Sequence, residues 1–427
     1  MTRTDAARRH TNWAGNVTFA APVQLPTSVA ELQRLVAGER QVHAVGTGHS
    51  FSAVADTRGA LVSVAGLPEE FEVVAGGDAI RASAGMTFAE LAPRMEAAGL
   101  ALHNMGSLPH ISLAGAFSTG THGSGDRLPC MAAAVREVEL VTATGDLLVL
   151  DRGDPDFAGV LPSLGALGIL TRITLETQPS YAVAQTVWQG MDVATGLGDL
   201  DAVMAAAYSV SVFTTLGPHD FGDAWVKRRM DEPEADLGRW GGRPAKQALR
   251  PVPGGDATGC TLQGGVPGPW FERLPHFTPD LPPSSSGAEV QSEYYVSRAD
   301  GPAAAAAVWE IGQKLAPALQ ICELRTVAAD GLWLSPACEQ GLLGLHFTWH
   351  PDVAAVEAAC KVVEEVLAPF EPVPHWGKVS WLDPEVVATR FPRLPDARRL
   401  VARLDPDNVF GNDLTDAYLR GVTREQR

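Results

Sequence analysis

The sequence is short of basic residues and of cysteines, and it has no long hydrophobic run. The chain of 427 residues has 33 Lys and Arg against 50 Asp and Glu, which gives a formal net charge of −17. Nucleic acid and anionic membrane surfaces repel a chain with this much negative charge. We therefore predict no nucleic-acid partner and no membrane association. No stretch of ~18 apolar residues is present, which excludes a hydrophobic helix long enough to span a bilayer.

The five cysteines are scattered along the chain and form no C-x-x-C pair. This distribution predicts neither a disulfide framework nor a zinc site, and it is typical of a cytoplasmic protein. The twin arginines Arg8 and Arg9 are not followed by an apolar run, so we expect neither a secretory nor a twin-arginine signal. We therefore predict a cytoplasmic protein, and we expect it to be a monomer.

Hydrophobic periodicity predicts alternating helices and strands over a length that fits two domains. Helices are expected at 27–39, 302–318 and 353–370 and in “TFAELAPRMEAAGLAL”, and a hairpin is expected in 135–153. Later strands are predicted in “ALQICELRTVA”, “LGLHFTWHP” and “HWGKVSWL”. The segment 233–287 is rich in Pro, Gly and Ser, which indicates long surface loops.

Two segments are rich in Gly, Ser and Thr: “GTGHS” at 46–50 and “SLAGAFSTGTHGSG” at 112–125. Such loops bring backbone N–H groups close to phosphate oxygens without obstruction by side chains. Neither segment has the G-x-G-x-x-G pattern, so a Rossmann dinucleotide site is not predicted. Either loop alone is most simply a tight turn, whereas two in one chain favour a diphosphate site.

Four histidines lie in or near these loops: His49, His103, His110 and His122. No carboxylate or cysteine lies at the short spacing typical of metal ligands, so we predict no metal site. A hydrogen-bonded structural role is the default prediction for each of them. His49 is unusual, because the turns that bind phosphate normally carry only small residues at this place.

Polar side chains recur at the strand period in three later segments. Glu323 and Arg325 in “CELRTV” are two residues apart and therefore share one face of a strand, as do His346 and Thr348 in “LHFTW”. Lys378 in “HWGKV” lies two residues after a tryptophan in a third predicted strand. Each pair alone fits a solvated sheet face. Together, the carboxylate, guanidinium, imidazole, hydroxyl and ammonium groups suit the floor of a pocket for a hydroxyl-rich ligand.

With these motifs the chain resembles the alditol oxidases, including xylitol oxidases, of the vanillyl-alcohol oxidase superfamily of flavoproteins. The resemblance runs nearly end to end, through “TNWAGN”, “GTGHSF”, “NMGSLPHISLAGAFSTGTHGSG”, “GVPGPWFERLPHF”, “QSEY”, “CELRTVAAD”, “HFTW” and “HWGK”. “GTGHSF” is shared across the superfamily, whereas “ELRT”, “HFTW” and “HWGK” together are specific to the polyol branch. The segment “TLGPHDFG” after “SVSVFT” departs from that branch, which leaves the preferred polyol open.

The resemblance implies an FAD cofactor that is covalently attached through His49. The residues implied to contact FAD are Val45, Gly46, Thr47, Gly48, His49, Ser50, Ser107, Ser112, Gly115, Thr119, Gly120, Thr121, His122, Leu170 and His375. Those implied to hold a small polyol are Ser107, Glu323, Arg325, Thr348 and Lys378, and those implied in catalysis are Lys378, Arg325 and His346.

The implied reaction oxidises the terminal primary hydroxyl of an alditol such as xylitol or sorbitol to the aldose and reduces O2 to hydrogen peroxide. The proton acceptor stays open, and Lys378 is preferred if burial and Arg325 lower its pKa. One alternative is a sugar-lactone oxidase or dehydrogenase of the same superfamily, which would act on aldonolactones. A second alternative is a flavin-binding protein without turnover.

The resemblance also implies an α+β fold of the vanillyl-alcohol oxidase type with two lobes. We expect an FAD-binding domain at 10–178 and a substrate-binding domain at 179–380, built on an antiparallel sheet. The C-terminal segment 381–427 is expected to return to the FAD domain. A site at the interface between two lobes is a usual arrangement for cofactor enzymes.

Overall fold

The computed structural model of the protein describes residues 11–281 and 288–421. The prediction on Arg8 and Arg9 therefore lies outside the described residues. The strands, numbered along the chain, are β1 Val23–Gln24, β2 Val42–Ala44, β3 Ala60–Val62, β4 Phe71–Val73, β5 Ala79–Ser83, β6 Leu100–Ala101, β7 Val135–Val141, β8 Leu147–Asp151, β9 Ile169–Glu176, β10 Gln178–Pro179, β11 Ala182–Gln189, β12 Ser209–Thr214, β13 Asp223–Arg229, β14 Arg243–Pro244, β15 Pro267–Pro269, β16 Val290–Ser297, β17 Leu319–Val327, β18 Leu342–Trp349 and β19 Val373–Pro374.

Side-chain caps determine where the first two helices begin. Ser28 accepts a hydrogen bond from the backbone N–H of Glu31, and Thr87 forms a reciprocal capping box with Glu90. Both predicted helices are confirmed. The helices are α1 Val29–Gly38, α2 Phe88–Ala97, α3 Leu113–Ser118, α4 Val193–Gly198, α5 Leu200–Met204, α6 Trp270–Arg273, α7 Gly301–Glu310, α8 Gly312–Leu315, α9 Val353–Leu367, α10 Pro384–Ala388, α11 Leu394–Leu404 and α12 Asp413–Thr415.

The N-terminal half contains a small parallel sheet and a larger antiparallel one. The parallel sheet has the order β1-β3-β2, and the antiparallel sheet has the order β4-β5-β9-β7-β8. The predicted hairpin is confirmed, because β7 pairs with β8 antiparallel. Ile80, Leu140 and Ile173 of the antiparallel sheet belong to the same buried core as Leu32 of α1 and Leu91 of α2. This packing holds the Gly-rich turn after β2 on a rigid base.

The second half is built on one large antiparallel sheet with the order β14-β11-β13-β12-β17-β18-β16-β19, and β15 also pairs with β11. In its centre, Glu323 of β17 lies opposite His346 of β18, which lies opposite Glu293 of β16. Leu324 and Phe347 point to the other face and join the core with helices α7 and α9. The alternation of side chains therefore gives the sheet an apolar face under the helices and a polar face toward the N-terminal half.

The C-terminal segment packs on the N-terminal half. The backbone N–H of Val42 donates to the carbonyl of Val409 over 2.7 Å, and Nδ1 of His43 lies 2.9 Å from the carbonyl of Phe410. These contacts agree with a C-terminal segment that returns to the first domain. The domain boundaries themselves stay a prediction.

Two predicted elements differ from the structure. The strand predicted in “HWGKVSWL” is wrong: β19 covers only Val373–Pro374, and the N–H of Lys378 donates to the carbonyl of His375 to close a turn. Consequently Trp376 and Lys378 do not share a strand face. The helix predicted at 302–318 is broken at Ile311 into α7 and α8.

Candidate active site

A cavity separates the Gly-rich turns of the first half from the polar face of the large sheet. It is lined by all but one of the residues predicted to bind cofactor or substrate: Val45, Gly46, Thr47, Gly48, His49, Ser50, Ser107, Ser112, Gly115, Thr119, Thr121, His122, Leu170, Glu323, Arg325, His346, Thr348, His375 and Lys378. Gly120 is the exception. It occupies a left-handed turn with φ +70° and faces Pro162 and Pro336 instead. Residues that are far apart in sequence are thus brought to one cavity.

The two Gly-rich segments touch each other and form a cradle of hydrogen-bond donors. A Cβ on Gly46 would come within 2.3 Å of Ser112 Oγ, so a larger residue at this position would displace the hydroxyl from the cradle. Among the described residues, the N–H groups of Gly46, Gly48 and Ser50 have no hydrogen-bond acceptor, and the buried Ser112 Oγ has no partner. Donors that remain unpaired at a tight turn fit the oxygens of a diphosphate.

His49 follows this cradle and is held in place from two sides. Its Nδ1 lies 2.9 Å from Thr47 Oγ1, and its ring stacks on Trp13 with 5.6 Å between the ring centroids. The side chain is partly exposed to the cavity. An aromatic stack and a hydrogen bond fix the orientation of the imidazole relative to the neighbouring turn.

A buried carboxylate, Glu293 of β16, is the centre of charge at the opposite wall. Arg325 Nη2 donates to its Oε1 over 2.6 Å, and Lys378 Nζ donates to its Oε2 over 2.7 Å. His122 Nε2 lies 3.4 Å from the same carboxylate. Burial opposes ionisation of Glu293, but Arg325 and Lys378 outweigh it and hold the pKa of the carboxyl well below its ordinary value. Glu293 is therefore an anion that orders two cations.

Lys378 has an unusual acidity for a lysine. Burial disfavours its ammonium form, and the attraction of Glu293 only partly compensates for burial and for the repulsion from Arg325, so its pKa falls to about 8. Burial and the neighbouring Lys378 lower the pKa of His346 to about 4, so this imidazole is neutral around pH 7. Among the basic groups that line the cavity at this wall, Lys378 is thus the one whose pKa lies closest to 7.

The tautomer of His346 follows from its donors. Lys378 Nζ lies 2.6 Å and Arg325 Nη2 lies 3.2 Å from its Nδ1, and both groups donate. Nδ1 therefore accepts, and the proton is on Nε2, which faces Thr348 Oγ1 at 3.3 Å. The His346 imidazole thus bridges by hydrogen bonds between the two cations and the hydroxyl of Thr348.

Two buried polar atoms at this wall are left for a ligand. Among the described residues, neither Glu323 Oε1 nor Arg325 Nε makes a hydrogen bond, although both side chains line the cavity and His276 Nε2 lies 3.4 Å from Oε1. The two groups form an ion pair of 3.7 Å through Glu323 Oε2. Buried polar atoms are rarely left unsatisfied, and an acceptor beside a donor matches the hydroxyls of a polyol.

The donor atoms of His122, Glu293 and His375 lie within 4.8 Å of one another. Both oxygens of Glu293 accept from cations, and His375 Nδ1 accepts the N–H of Gly377 over 2.9 Å. The positive charges of Arg325 and Lys378 would repel a divalent ion at this place. We therefore keep the prediction that no metal binds here.

The sequence-based list of site residues omitted Glu293, His276 and Lys227. Gln291 and Glu293 in “VQSEYYV” are two residues apart and share one strand face, which is the same period-2 signal that revealed Glu323 and Arg325. His276 lines the cavity from within the segment that was predicted to form surface loops. Lys227 is buried in β13 but is followed there by the partly buried Arg228 and Arg229, so nothing in the sequence sets it apart. The default structural role holds for His103, whose Nε2 lies 3.2 Å from the carbonyl of Pro129.

Comparisons with known proteins agree with this geometry. Residues 20–151 match a family model described as FAD binding domain, and residues 289–420 match one described as D-arabinono-1,4-lactone oxidase. The chain is 46% identical to an alditol oxidase from Streptomyces sp. over 415 residues, which cover 96% of this chain and 99% of that protein. The chain belongs to the alditol oxidase family. It is also 28% identical to L-gulono-1,4-lactone dehydrogenase from Mycobacterium tuberculosis over 96% of this chain and 98% of that one.

Among solved structures, this alditol oxidase family member is similar to cholesterol oxidase from B. sterolicum. The TM-score is 0.75 over 96% of each chain, at 13% sequence identity, so the likeness concerns the fold alone. The predicted α+β fold with an FAD-binding half and an antiparallel sheet is confirmed. The prediction of FAD as the cofactor is confirmed as well. None of the described helices combines the length and the apolar character needed to cross a membrane.

Proposed function

We propose that this protein oxidises the terminal primary hydroxyl of an alditol to the aldehyde of an aldose and reduces O2 to hydrogen peroxide. One observation carries the proposal: the unpartnered Glu323 Oε1 and Arg325 Nε lie on the same wall as Lys378. That wall faces, across one cavity, the donor cradle of the Gly-rich turns. The relationship to the Streptomyces alditol oxidase supports the same reaction.

The cofactor site is proposed to use the Gly-rich turns and His49. The N–H groups of Gly46, Gly48 and Ser50, with Ser112 Oγ, would hold the diphosphate of FAD. His49, fixed by Thr47 and Trp13, is proposed to carry the covalent bond to the flavin. When bound, FAD accepts a hydride from the alcohol carbon and passes two electrons to O2.

The protein is proposed to bind the polyol and to manage the hydroxyl proton. Glu323 Oε1 accepts and Arg325 Nε donates to neighbouring hydroxyls, and Ser107 and Thr348 supply further hydroxyl contacts from the cavity wall. Lys378 Nζ, as the neutral amine, takes the proton of the reacting hydroxyl. Arg325 then lies close enough to favour the negative charge that develops on the substrate oxygen.

Covalent flavin attachment is tested by acid precipitation. We expect a yellow pellet from the wild-type holoprotein, because a covalent bond survives unfolding, and a colourless pellet from His49→Ala. The measurement is flavin absorbance in the pellet and in the supernatant. His350→Ala is a matched control, since His350 is exposed and does not line the cavity, and its pellet should stay yellow. A wild-type pellet without flavin would contradict the assignment of His49.

A peroxide assay separates the two candidate substrates. The match of residues 289–420 to a lactone oxidase favours sugar lactones as a second candidate. We expect peroxide from xylitol, sorbitol or glycerol under air and little from L-gulono-1,4-lactone. Peroxide from the lactone alone, or reduction of a dye but not of O2, would favour the lactone enzyme. Flavin binding without any turnover would leave the alternative of a carrier protein.

The pH dependence of the reaction follows from Lys378. Burial lowers the pKa of this amine to about 8, and only its neutral form accepts a proton, so kcat/KM should rise as the pH increases through about 8. The measurement is kcat/KM for xylitol between pH 6 and pH 10, with the folded fraction checked at each pH. A profile that is flat or falling between pH 7 and pH 9 would exclude Lys378 as the acceptor.

We further propose a monomeric protein of the cytoplasm. All five cysteines are free thiols in the structure, and four of them are buried, which suits a reducing compartment. Gel filtration of the holoprotein would test the monomer.

A further inference from the structure

The polar face of the large sheet continues past Glu323 to a second pair of buried basic groups, Lys227 and His276. Lys227 Nζ lies 3.3 Å from His276 Nδ1 and also donates to the carbonyl of Leu274. His276 Nε2 lies 3.4 Å from the unpartnered Glu323 Oε1. His276 lines the cavity, whereas Lys227 lies behind it and is 1% exposed. The catalytic steps proposed above use neither residue.

We propose that His276, oriented by Lys227, forms with Glu323 a distal subsite that binds a far hydroxyl of the longer alditols. The proposal rests on the proposed alditol oxidation and names the part of the cavity that selects substrate length. His276 is the binding residue in this subsite, and Lys227 is a positioning residue that acts through it.

The position of the subsite follows from the sheet. Glu293, which holds Lys378, and Glu323 lie on directly aligned positions two strands apart, with His346 between them. The backbones of these two strands are about 10 Å apart, and the Arg325 guanidinium spans the gap, 2.6 Å from Glu293 and 3.7 Å from Glu323. A polyol whose reacting hydroxyl is at Lys378 must therefore cross this row of side chains to reach His276, and we expect longer alditols to do so more readily than glycerol.

The hydrogen-bond direction follows from Lys227. Burial lowers the pKa of Lys227 to about 7, and its ammonium form, which only donates, makes His276 Nδ1 an acceptor. In that form the proton of His276 lies on Nε2, which points toward Glu323 and the cavity. Burial and the proximity of Lys227 lower the pKa of His276 to about 4, which keeps the ring neutral at pH 7. The subsite thus offers one N–H donor beside one carboxylate acceptor, the pair that a single hydroxyl satisfies.

The imidazole is fixed by its packing. Phe213 and Trp225 contact it edge-on, with ring centroids at 5.1 Å and 5.3 Å. The backbone N–H of His276 donates to the carbonyl of Ser107 over 3.1 Å, which ties the subsite to the opposite side of the cavity. A donor that is fixed in this way loses little entropy when a ligand binds.

The test compares alditols of three to six carbons in the FAD-loaded protein. In His276→Phe, which keeps an aromatic ring between Phe213 and Trp225, the ratio of kcat/KM for xylitol to kcat/KM for glycerol should fall about tenfold, mainly through KM. Lys227→Met should lower the same ratio by a smaller factor. His350→Phe, at an exposed histidine, is the control and should leave the ratio unchanged.

A second readout does not depend on turnover. In protein labelled with 15N-histidine, the resonances that are lost in His276→Phe should show the Nε2–H tautomer in the wild type. The Nδ1–H tautomer, or an equal loss of activity on glycerol and xylitol, would overturn the subsite while leaving alditol oxidation intact. A wild type that oxidises no alditol would overturn the proposed function and the subsite together.

Discussion

Replacing Lys378 by methionine is expected to lower kcat/KM for xylitol by about 10³-fold or more while FAD stays bound. Methionine has a similar volume but neither charge nor basicity, so the reacting hydroxyl loses its proton acceptor. The cradle of Gly46, Gly48 and Ser112 lies on the opposite side of the cavity and is not altered. The measurements are peroxide production and flavin absorbance on the same preparation.

A second substitution at this position separates charge from basicity. Lys378→Arg keeps a cation beside Glu293, but a guanidinium does not release its proton at any pH of the assay. We expect this variant to be as inactive as Lys378→Met. Lys361→Met changes an exposed lysine that pairs with Glu357, and it serves as the matched control with wild-type rates. Activity of Lys378→Met within tenfold of the wild type would contradict a role for Lys378 in proton transfer.

Glu293→Gln is expected to destabilise the holoprotein by about 3–5 kcal/mol, the range for breaking a buried ion pair from one side. The substitution leaves Arg325 and Lys378 buried without the carboxylate that accepts from both. The pKa of Glu293 is lowered in the folded protein, so its contribution is present above the ordinary carboxyl range and is lost as the pH falls. The measurement is urea unfolding of both proteins at pH 7 and again in acid, where the difference should shrink.

The same variant should change the activity profile. Without the attraction of Glu293, the pKa of Lys378 falls below about 8, so the rise of kcat/KM should move to lower pH. Glu357→Gln, on the exposed face of α9, is the control and should change the unfolding free energy by about 0.5 kcal/mol or less. An unfolding free energy unaltered in Glu293→Gln would show that the buried carboxylate does not hold the site together.

The sequence predicted those parts of the site that obey a local period. Glu323 with Arg325, and His346 with Thr348, share a face because successive side chains of a strand alternate, and both pairs line the cavity. The strand predicted through His375 was wrong, because Gly377 and the hydrogen bond from Lys378 N to His375 O close a turn there. A turn of this kind depends on its tertiary surroundings, which the alternation of polar and apolar residues along the sequence does not predict.

Glu293 and His276 show a second limit of local patterns. The role of Glu293 depends on which residues of β18 and β17 lie opposite it, and this pairing is decided by the whole sheet. His276 is followed and preceded by loop-like sequence, yet it is buried because Phe213 and Trp225 enclose it. Both residues acquire their function from partners that are distant along the chain.

The alignment of Glu293, His346 and Glu323 across three strands also bears on how the chain folds. If β17 slipped by one residue against β18, Glu323 and Arg325 would turn toward helices α7 and α9, and Leu324 would turn toward the cavity. Two charges would then lie in an apolar layer with only each other as partners, at a cost of several kcal/mol. The charges proposed to act on substrate therefore also destabilise a sheet in which β17 has slipped against β18. Neutral variants of Glu323 and Arg325 should misfold more often as well as react more slowly.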